Sequence, residues 1–347
     1  MRTLNTALCS FGMSGKVFHA PFIHLNKGFN LYAVWERSEK KAASIYPGII
    51  SFDSLEKMLA DHAIDLVIVN TPNYTHYDFA KRALLAGKHV VVEKSFTVTA
   101  SEAGELIKIA KEKNKRLSVF QNRRYDSDFK TVKKIVNEGS LGKIVEAEIH
   151  FDRFNLNLSP KQHKETTNPG AGLLHDLGPH IIDQALHLFG MPRSVFGFLR
   201  VLRPLSKVND YIDMHLFYPG LTVRLKAGLI VKEIPPAYNI HGTNGSFVKY
   251  RADIQEDILK SGKEPNTKDW GTEPAEAAGI LNIIKDGETF RTKITSLQGN
   301  YMEFYDGIYE SIVNNKKLPV SAGDGLKVMR IIQAVLESNR TKMIVIP

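Results

Sequence analysis

The sequence predicts an α/β chain in two parts: a doubly wound parallel sheet over residues 1–121, then, over residues 122–347, an α+β domain with a large, mostly antiparallel sheet. Two patterns carry this. Between Leu4 and Phe120 short apolar runs alternate with helix-like segments, and runs such as Leu66-Val67-Ile68-Val69 and Val90-Val91-Val92 are apolar on consecutive residues, as strands covered on both faces must be. Beyond Gly142 the apolar residues recur with period two, the mark of half-buried antiparallel strands. A chain of 347 residues is long enough for both domains.

Leu4 to Phe11 reads as the first strand, and it runs into Ser10-Phe11-Gly12-Met13-Ser14-Gly15 and a helix-like segment from Lys16. This is nearly the G-x-G-x-x-G turn of a Rossmann dinucleotide-binding domain. Its glycines allow a tight turn and let backbone N–H groups approach a pyrophosphate. Ser10 stands where the first glycine belongs, and Gly12, Met13, Ser14 and Gly15 are the expected phosphate contacts. The second strand, Leu31 to Trp35, ends in Glu36 about 20 residues on, the place for a carboxylate that holds a ribose hydroxyl. A helical run from Glu39 to Tyr46, a strand from Ile49 to Phe52, a helix capped by Asp53 or Ser54 and the strand Leu66 to Val69 follow.

That strand stops at Asn70-Thr71-Pro72-Asn73-Tyr74-Thr75-His76. Helix Tyr77 to Ala86 comes next, Gly87 closes it, and His89 to Val92 runs straight into Glu93-Lys94-Ser95. A buried strand cannot carry two charges further, and ligands of open α/β sheets sit beyond the carboxyl ends of the strands. Thr71, Pro72, Glu93 and Lys94 are therefore expected at one edge with the glycine turn, as cofactor contacts. A helix from Ser101 to Lys113, capped by Ser101, and a strand from Leu117 to Phe120 complete the domain, with the boundary near Gln121.

The totals exclude several classes. No apolar run approaches the roughly 18 residues of a membrane span, and the N-terminal apolar stretch is too short for a signal peptide, so a cytoplasmic protein with no membrane partner is expected. The lone Cys9 excludes an internal disulfide and any Cys-based zinc cluster. The net charge of +9 is spread over helix faces such as KKAAS, KEKNKR and KTVKK, which reads as solvated surface and not as a nucleic-acid site.

In the second part, helix Asp128 to Glu138 ends at Gly139 to Gly142, and Val145, Ala147, Ile149 and Phe151 then alternate with Glu146, Glu148, His150 and Asp152. Two later runs, Ile212 to Tyr218 and Leu221 to Leu229, alternate likewise and are joined by the hairpin turn Tyr218-Pro219-Gly220-Leu221. Such a sheet has one face for helices and another that needs polar groups or a partner subunit. Leu326 to Ser338 reads as a final amphipathic helix, and Ser261 to Thr272 as a long exposed loop. In NPGAGLLHDLGPHIIDQALHLFG, Asp176 can cap a helix with Pro179 in its first turn, which sets Asp176 and His180 one helical turn apart. An aspartate beside a histidine suits a general base, although a cap plus a satisfied polar residue has the same spelling. Asp183 and His187 continue that face, but no closed ligand set appears, so no metal is expected. If this helix lies across the strand ends, Lys94, Asp176 and His180 converge.

The near G-x-G-x-x-G turn with Phe18-His19-Ala20-Pro21, Thr71-Pro72-Asn73 with His76, Ala86 to Val90 leading to Glu93-Lys94, Asn122-Arg123-Arg124-Tyr125-Asp126, and Asp176 to Asp183 follow one another along nearly the whole chain. In that order they resemble the glucose-fructose oxidoreductase and inositol dehydrogenase family, most of all its scyllo-inositol dehydrogenase-like branch. The resemblance implies NAD(P), and reversible oxidation of a ring hydroxyl of a sugar or cyclitol. It implies that His180 takes the hydroxyl proton, that Lys94 polarises the oxygen, and that Asp176 orients both. It sets Asn73, His76, Asn122, Arg124 and Trp270 beside the cofactor, and implies a homo-oligomer formed through the open face of the second sheet.

Ser95 departs from the family by replacing the proline after the lysine, which puts any special backbone geometry there in question. Cofactor choice divides between neighbours: Glu36 can accept both ribose hydroxyls and repel a 2′-phosphate, which favours NAD, whereas Arg37 and Ser38 can hold that phosphate. The reading leans to NAD. A non-enzymatic dinucleotide sensor and a lyase or glycosidase that retains its NAD are the alternatives. His150, Arg153, Asn155, His163, Lys164, Tyr238 and Trp270 are candidate lining for a polar substrate cavity, and strand alternation or exposed loops explain them equally well.

Overall fold

A computed structural model describes residues 2–36, 39–161 and 164–347. The chain packs as two compact units. One is built from Met1–Asn122, Gln255–Trp270 and Asn300–Leu326, the other from Arg123–Ile254, Gly271–Gly299 and Lys327–Pro347. The first unit therefore takes two segments from far along the chain, which local pattern assigns to the second part.

In the first unit, strands β1 (Leu4–Leu8), β2 (Phe29–Trp35), β3 (Ile50–Phe52), β4 (Leu66–Val69), β5 (His89–Val92) and β6 (Leu117–Val119) form a six-stranded sheet in the order β3-β2-β1-β4-β5-β6, parallel throughout. The order reverses between β1 and β4, the switch point where open α/β sheets bind ligands. Helices α1 (Ala20–Leu25), α2 (Ala42–Ile45), α3 (Leu55–Ala60), α4 (His76–Leu85) and α5 (Ala100–Glu112) connect the strands. Ser54 caps α3 by accepting the Lys57 N–H at 3.2 Å. For α5 the cap is Thr99 and not Ser101: Thr99 Oγ1 accepts the Glu102 N–H, and Glu102 returns a carboxylate oxygen to the Thr99 N–H, a capping box set two residues earlier.

In the second unit, helix α6 (Ser127–Glu138) ends at Gly139 in the left-handed conformation, φ 72°. Strand β7 (Ile144–His150), the short helix α7 (Leu173–Asp176) and α8 (Gly178–Phe189) follow. Strands β8 (Ser194–Arg200), β9 (Tyr211–Tyr218), β10 (Leu221–Gly228), β11 (Tyr238–Gly242) and β12 (Gly245–Lys249) come next. After α9 (Gln255–Lys260), which packs in the first unit, β13 (Gly279–Lys285) and β14 (Glu288–Ile294) complete an eight-stranded sheet in the order β14-β13-β12-β11-β7-β10-β9-β8. Only β7 and β10 pair in parallel. Ala147, Ile149, Met214, Leu216, Val223 and Leu225 are buried on one face with Phe129 and Val132 of α6 and Ile181 and Ile182 of α8. Arg224 lies on the other face in a two-bond ion pair with Asp213, at 3.0 and 2.7 Å.

Helix α10 (Met302–Val313) belongs to the first unit and fills its core. Tyr305 stacks on Phe22 with ring centroids 5.5 Å apart, Phe304 meets Phe120 at 4.9 Å, and Tyr309 meets Phe29 at 5.9 Å. Helix α11 (Ala322–Thr341) ends the order of elements.

Candidate functional site

The glycine turn is held at both ends by side chains from neighbouring strand ends. Asn70, just past β4, accepts the Ser10 N–H at 3.0 Å and donates to the Ser10 carbonyl at 2.8 Å, which fixes the residue that replaces the first glycine. The Ser10 hydroxyl accepts the Gly12 N–H at 3.2 Å. A Cβ on Gly15 would stand 2.3 Å from the Ser10 carbonyl oxygen and 2.8 Å from Asn70 Nδ2, so the fold itself demands glycine there. A Cβ on Gly12 would meet only Ser10 Oγ, at 3.4 Å, so the space beside Gly12 is otherwise open. After the turn the helix begins with a π-helical stretch, Gly15–His19, before α1. Met13 is exposed.

On the other side of the turn stands Glu93. Its Oε1 accepts the Ser14 hydroxyl and faces His19 Nε2 at 3.1 Å, and its Oε2 accepts the Lys94 N–H at 3.1 Å. His19 is fully buried, with Nδ1 2.8 Å from the Tyr305 hydroxyl, which donates to the Phe18 carbonyl at 2.8 Å. Burial pushes the Glu93 carboxyl up, but the His19 and Ser14 donors and the Lys94 charge outweigh it and hold the group down to about 2. The Lys94–Ser95 peptide is cis, so a special backbone geometry exists here with serine in place of proline. His76 is buried, and its ring bridges the Thr71 and Ser95 carbonyls at 2.8 Å each, tying the turn after β4 to the chain after β5. Thr71 Oγ1 lies 2.6 Å from Thr75 Oγ1, and Asn73 sits in the short turn Asn73–Thr75.

A cleft of about 350 Å³ opens beside the turn, lined by Ser10, Trp35, Glu36, Thr71, Pro72 and Phe79 among others. Glu36 does not present a free carboxylate to it. Its Oε1 accepts the Lys41 N–H at 2.8 Å and the Ala42 N–H at 3.2 Å, and its Oε2 accepts the Ser51 hydroxyl at 2.6 Å. It braces the start of α2 against β3. Arg37 and Ser38 lie outside the described residues, as does His163. Asn122 is buried. The loop before Trp270 is mostly exposed, but Trp270 itself is buried: its indole N–H donates to Gln255 at 3.0 Å, and its ring meets Phe22 edge-on.

In the second unit Asp176 ends α7 and is not the cap of α8. That cap is Leu177, which makes no side-chain capping bond, and Pro179 sits in the first turn where its missing N–H has no helical partner to lose. Asp176 instead accepts from Lys164 at 2.9 Å. His180 is buried, with its ring 6.1 Å from Phe151. Asp183 takes both bonds of a fork from Arg124, at 2.7 Å each. Tyr238 is fully buried and donates towards Asp128 and Gln184, and His150 faces Asp152 at 3.1 Å, so both serve interior networks. Among the described residues no group of three His, Cys, Asp or Glu side chains could hold a metal, and no helix is long and apolar enough to cross a membrane.

Pattern reading did not single out Asn70, Tyr305 or Ser51. Asn70 carries a signal, a polar side chain directly at the end of four apolar strand residues. Tyr305 and Ser51 act across long sequence separations and carry none.

Residues 4–121 match the family model of an oxidoreductase NAD-binding Rossmann fold, and residues 133–346 match the C-terminal α/β domain of the same oxidoreductase family. Scyllo-inositol 2-dehydrogenase (NADP(+)) IolW of Bacillus subtilis is 38% identical over 98% of this chain and 95% of its own. YdgJ of Escherichia coli, an uncharacterized oxidoreductase, is 38% identical over 96% of each chain. The structure of an oxidoreductase from Bacillus cereus superposes with a TM-score of 0.91 at 32% identity, covering 99% of both chains, and that of YvaA from Bacillus subtilis with 0.97 at 37% identity, covering all of this chain and 99% of that one. With both domains matched and the glycine turn, the Glu93-Lys94 strand end and the Asp176 to Asp183 segment in place, the chain belongs to the glucose-fructose oxidoreductase and inositol dehydrogenase family of oxidoreductases.

Proposed function

We propose that this oxidoreductase exchanges hydride between a nicotinamide dinucleotide and a ring hydroxyl of a sugar or inositol-like cyclitol, with Lys94, Asp176 and His180 as its catalytic residues. The observation that carries the reading is the strand end at Glu93-Lys94, held by hydrogen bonds beside a glycine turn that keeps open space at Gly12. The substrate class is supported by the relative named for scyllo-inositol.

Oxidising a secondary alcohol removes a proton from oxygen and a hydride from carbon, and the nicotinamide, when bound, is the hydride acceptor. In this reading the N–H groups of the turn over Gly12 to Gly15 hold the pyrophosphate, and Thr71 and Pro72 line the cleft beside it. The His180 ring takes the hydroxyl proton, Lys94 Nζ stabilises the alkoxide charge as it develops, and the Asp176 carboxylate, already beside Lys164, orients the polar groups around it. The roles proposed for Asn73, His76, Asn122, Arg124 and Trp270 are to frame the cofactor region: His76, Arg124 and Trp270 have their polar atoms in bonds to Thr71 and Ser95, to Asp183 and to Gln255.

For the cofactor, NADP is the better fit. A carboxylate that already accepts two N–H groups on one oxygen and a hydroxyl on the other has little capacity left for two ribose hydroxyls. The sequence then supplies Arg37 and Ser38 for a 2′-phosphate. We also infer a cytoplasmic homo-oligomer joined through the polar face of the eight-stranded sheet that carries Arg224 and Asp213.

The test is a panel of inositols and sugars offered with each cofactor, following absorbance of the reduced nicotinamide. Reduction is expected with wild type, while Lys94→Ala and His180→Ala each lose at least about a hundredfold in turnover and still bind cofactor. Cofactor binding without reduction on any polyol overturns the reading in favour of a sensor or of a lyase or glycosidase that retains its cofactor.

A further inference from the structure

We propose that Glu93 is a positioning residue: through Ser14 and His19 it locks the cofactor-binding turn to the backbone of Lys94, and it does not itself bind cofactor. This rests on the catalytic role given to Lys94 above.

One carboxylate gathers three donors from two places in the chain. Ser14 Oγ and His19 Nε2, both on the helix after the glycine turn, reach Oε1, and the Lys94 N–H reaches Oε2. An ionised carboxylate only accepts, so the single hydroxyl proton of Ser14 is committed to Glu93, and Nε2 of His19 carries a proton towards it. Ser14 then has no side-chain proton for a phosphate, and the backbone N–H groups of the turn are left for that work. The Glu93 side chain is 12% exposed, and both of its carboxylate oxygens already accept from the protein.

The helix geometry points the same way. Residues five apart stand about 140° apart around an ideal α-helix and so face different directions. Ser14 and His19 are five apart, yet both reach the same oxygen atom. The intervening stretch Gly15–His19 is π-helical, with the Ala20 N–H bonded to the Gly15 carbonyl, and this wider turn brings the two side chains to one face. His19 is then fixed by Tyr305 at 2.8 Å and by the Phe120 ring at 4.6 Å. With Asn70 clasping Ser10, the turn is strung between side chains at the ends of β4 and β5. Any shift of the turn therefore reaches the amide of Lys94 through a single side chain.

The experiment is a set of variants, Glu93→Gln, His19→Phe, Ser14→Ala and Tyr305→Phe, with folding checked by thermal denaturation. At saturating cofactor and substrate, Glu93→Gln is expected to lower kcat at least about tenfold with the cofactor KM changed by less than about threefold. His19→Phe should reproduce part of that loss and add nothing to it in the double variant, because both act through one carboxylate. A raised cofactor KM at unchanged kcat overturns the proposal and makes Glu93 a cofactor ligand. Losses that multiply in the double variant overturn it as well. Should Glu93→Gln fail to fold, Tyr305→Phe, which removes only the hydroxyl that orients His19, must lower kcat and spare KM, or the proposal falls. Titration of cofactor fluorescence needs no substrate: Ser14→Ala and Glu93→Gln should each bind cofactor within about threefold of wild type, and a larger weakening in Ser14→Ala refutes the commitment of its hydroxyl to Glu93. Absence of turnover on every polyol, by contrast, refutes only the functional reading.

Discussion

Two glycines three residues apart are expected to fail in opposite ways when each gains a methyl group. At Gly15 the new Cβ would lie 2.3 Å from a backbone carbonyl oxygen and 2.8 Å from Asn70 Nδ2, and neither can retreat without breaking the bonds that hold Ser10. Overpacking of this kind costs about 1–3 kcal/mol, and losing one hydrogen bond of the Asn70 clasp adds about 1 kcal/mol. At Gly12 the new Cβ would meet only the Ser10 hydroxyl, at an ordinary 3.4 Å, and its backbone is not in the left-handed region. Stability should change by less than about 0.5 kcal/mol there, or rise slightly as the unfolded chain loses freedom. Urea denaturation reads the first quantity and fluorescence titration of the cofactor reads the second. Gly15→Ala should lose about 2–4 kcal/mol, combining the two terms above. Gly12→Ala should fold like wild type but bind cofactor at least about tenfold more weakly, because its methyl group would enter the space that the proposed function gives to the pyrophosphate. A Gly12→Ala protein with wild-type cofactor affinity would refute the assignment of the turn, and a fully stable Gly15→Ala protein would refute the packing argument.

Wild-type protein should prefer NADP to NAD in kcat/KM, and Glu36→Ala should cost about 1–2 kcal/mol of stability through loss of the α2 brace while leaving that preference in place; a tenfold wild-type preference for NAD contradicts this. Glu93 is held down to about 2 from an ordinary 4.5, so its folded value lies below its unfolded one. The stability it supplies is present above about pH 4.5 and is lost as pH falls towards 2, up to roughly 3 kcal/mol in all. The stability gap between wild type and Glu93→Gln, measured by urea denaturation at descending pH, should narrow over that window, and a constant gap speaks against the charge. In the second unit Lys249 donates to Glu273 at 2.6 Å with both side chains buried. Lys249→Met should destabilise by about 3–5 kcal/mol by leaving a buried carboxylate without its cation, and the double change Lys249→Met/Glu273→Leu should recover much of it.

The parallel sheet was legible because β4 and β5 spell four and three consecutive aliphatic residues, and because the glycine turn, Glu36 and the Glu93-Lys94 strand end fall at the spacings that one sheet edge requires. The period-two runs of β7, β9 and β10 were equally plain. Strand β14 was not, since nearly every residue in it is exposed and burial imposes no alternation. The capping errors have one cause: Ser101 and Asp176 are good cap residues by type, but Thr99 forms a reciprocal box with Glu102, and the α7–α8 break falls one residue after Asp176. The protein partners of Glu36 were not legible for a related reason. Its spacing from the glycines is right for a ribose, and only the three-dimensional approach of Ser51 and the start of α2 shows its oxygens occupied.

That α10 lies within the nucleotide unit bears on how the molecule is made. As the chain emerges from the ribosome, all six strands of the parallel sheet are present by residue 119, yet the rings of Phe22, Phe29 and Phe120 still lack Tyr305, Tyr309 and Phe304. The segment before residue 122 must wait, with an aromatic seam uncovered, until the chain has been made as far as α10. A gene fragment ending near residue 122 would encode a complete sheet and an incomplete core, so the nucleotide-binding unit, although it begins first, is completed only when α10 arrives.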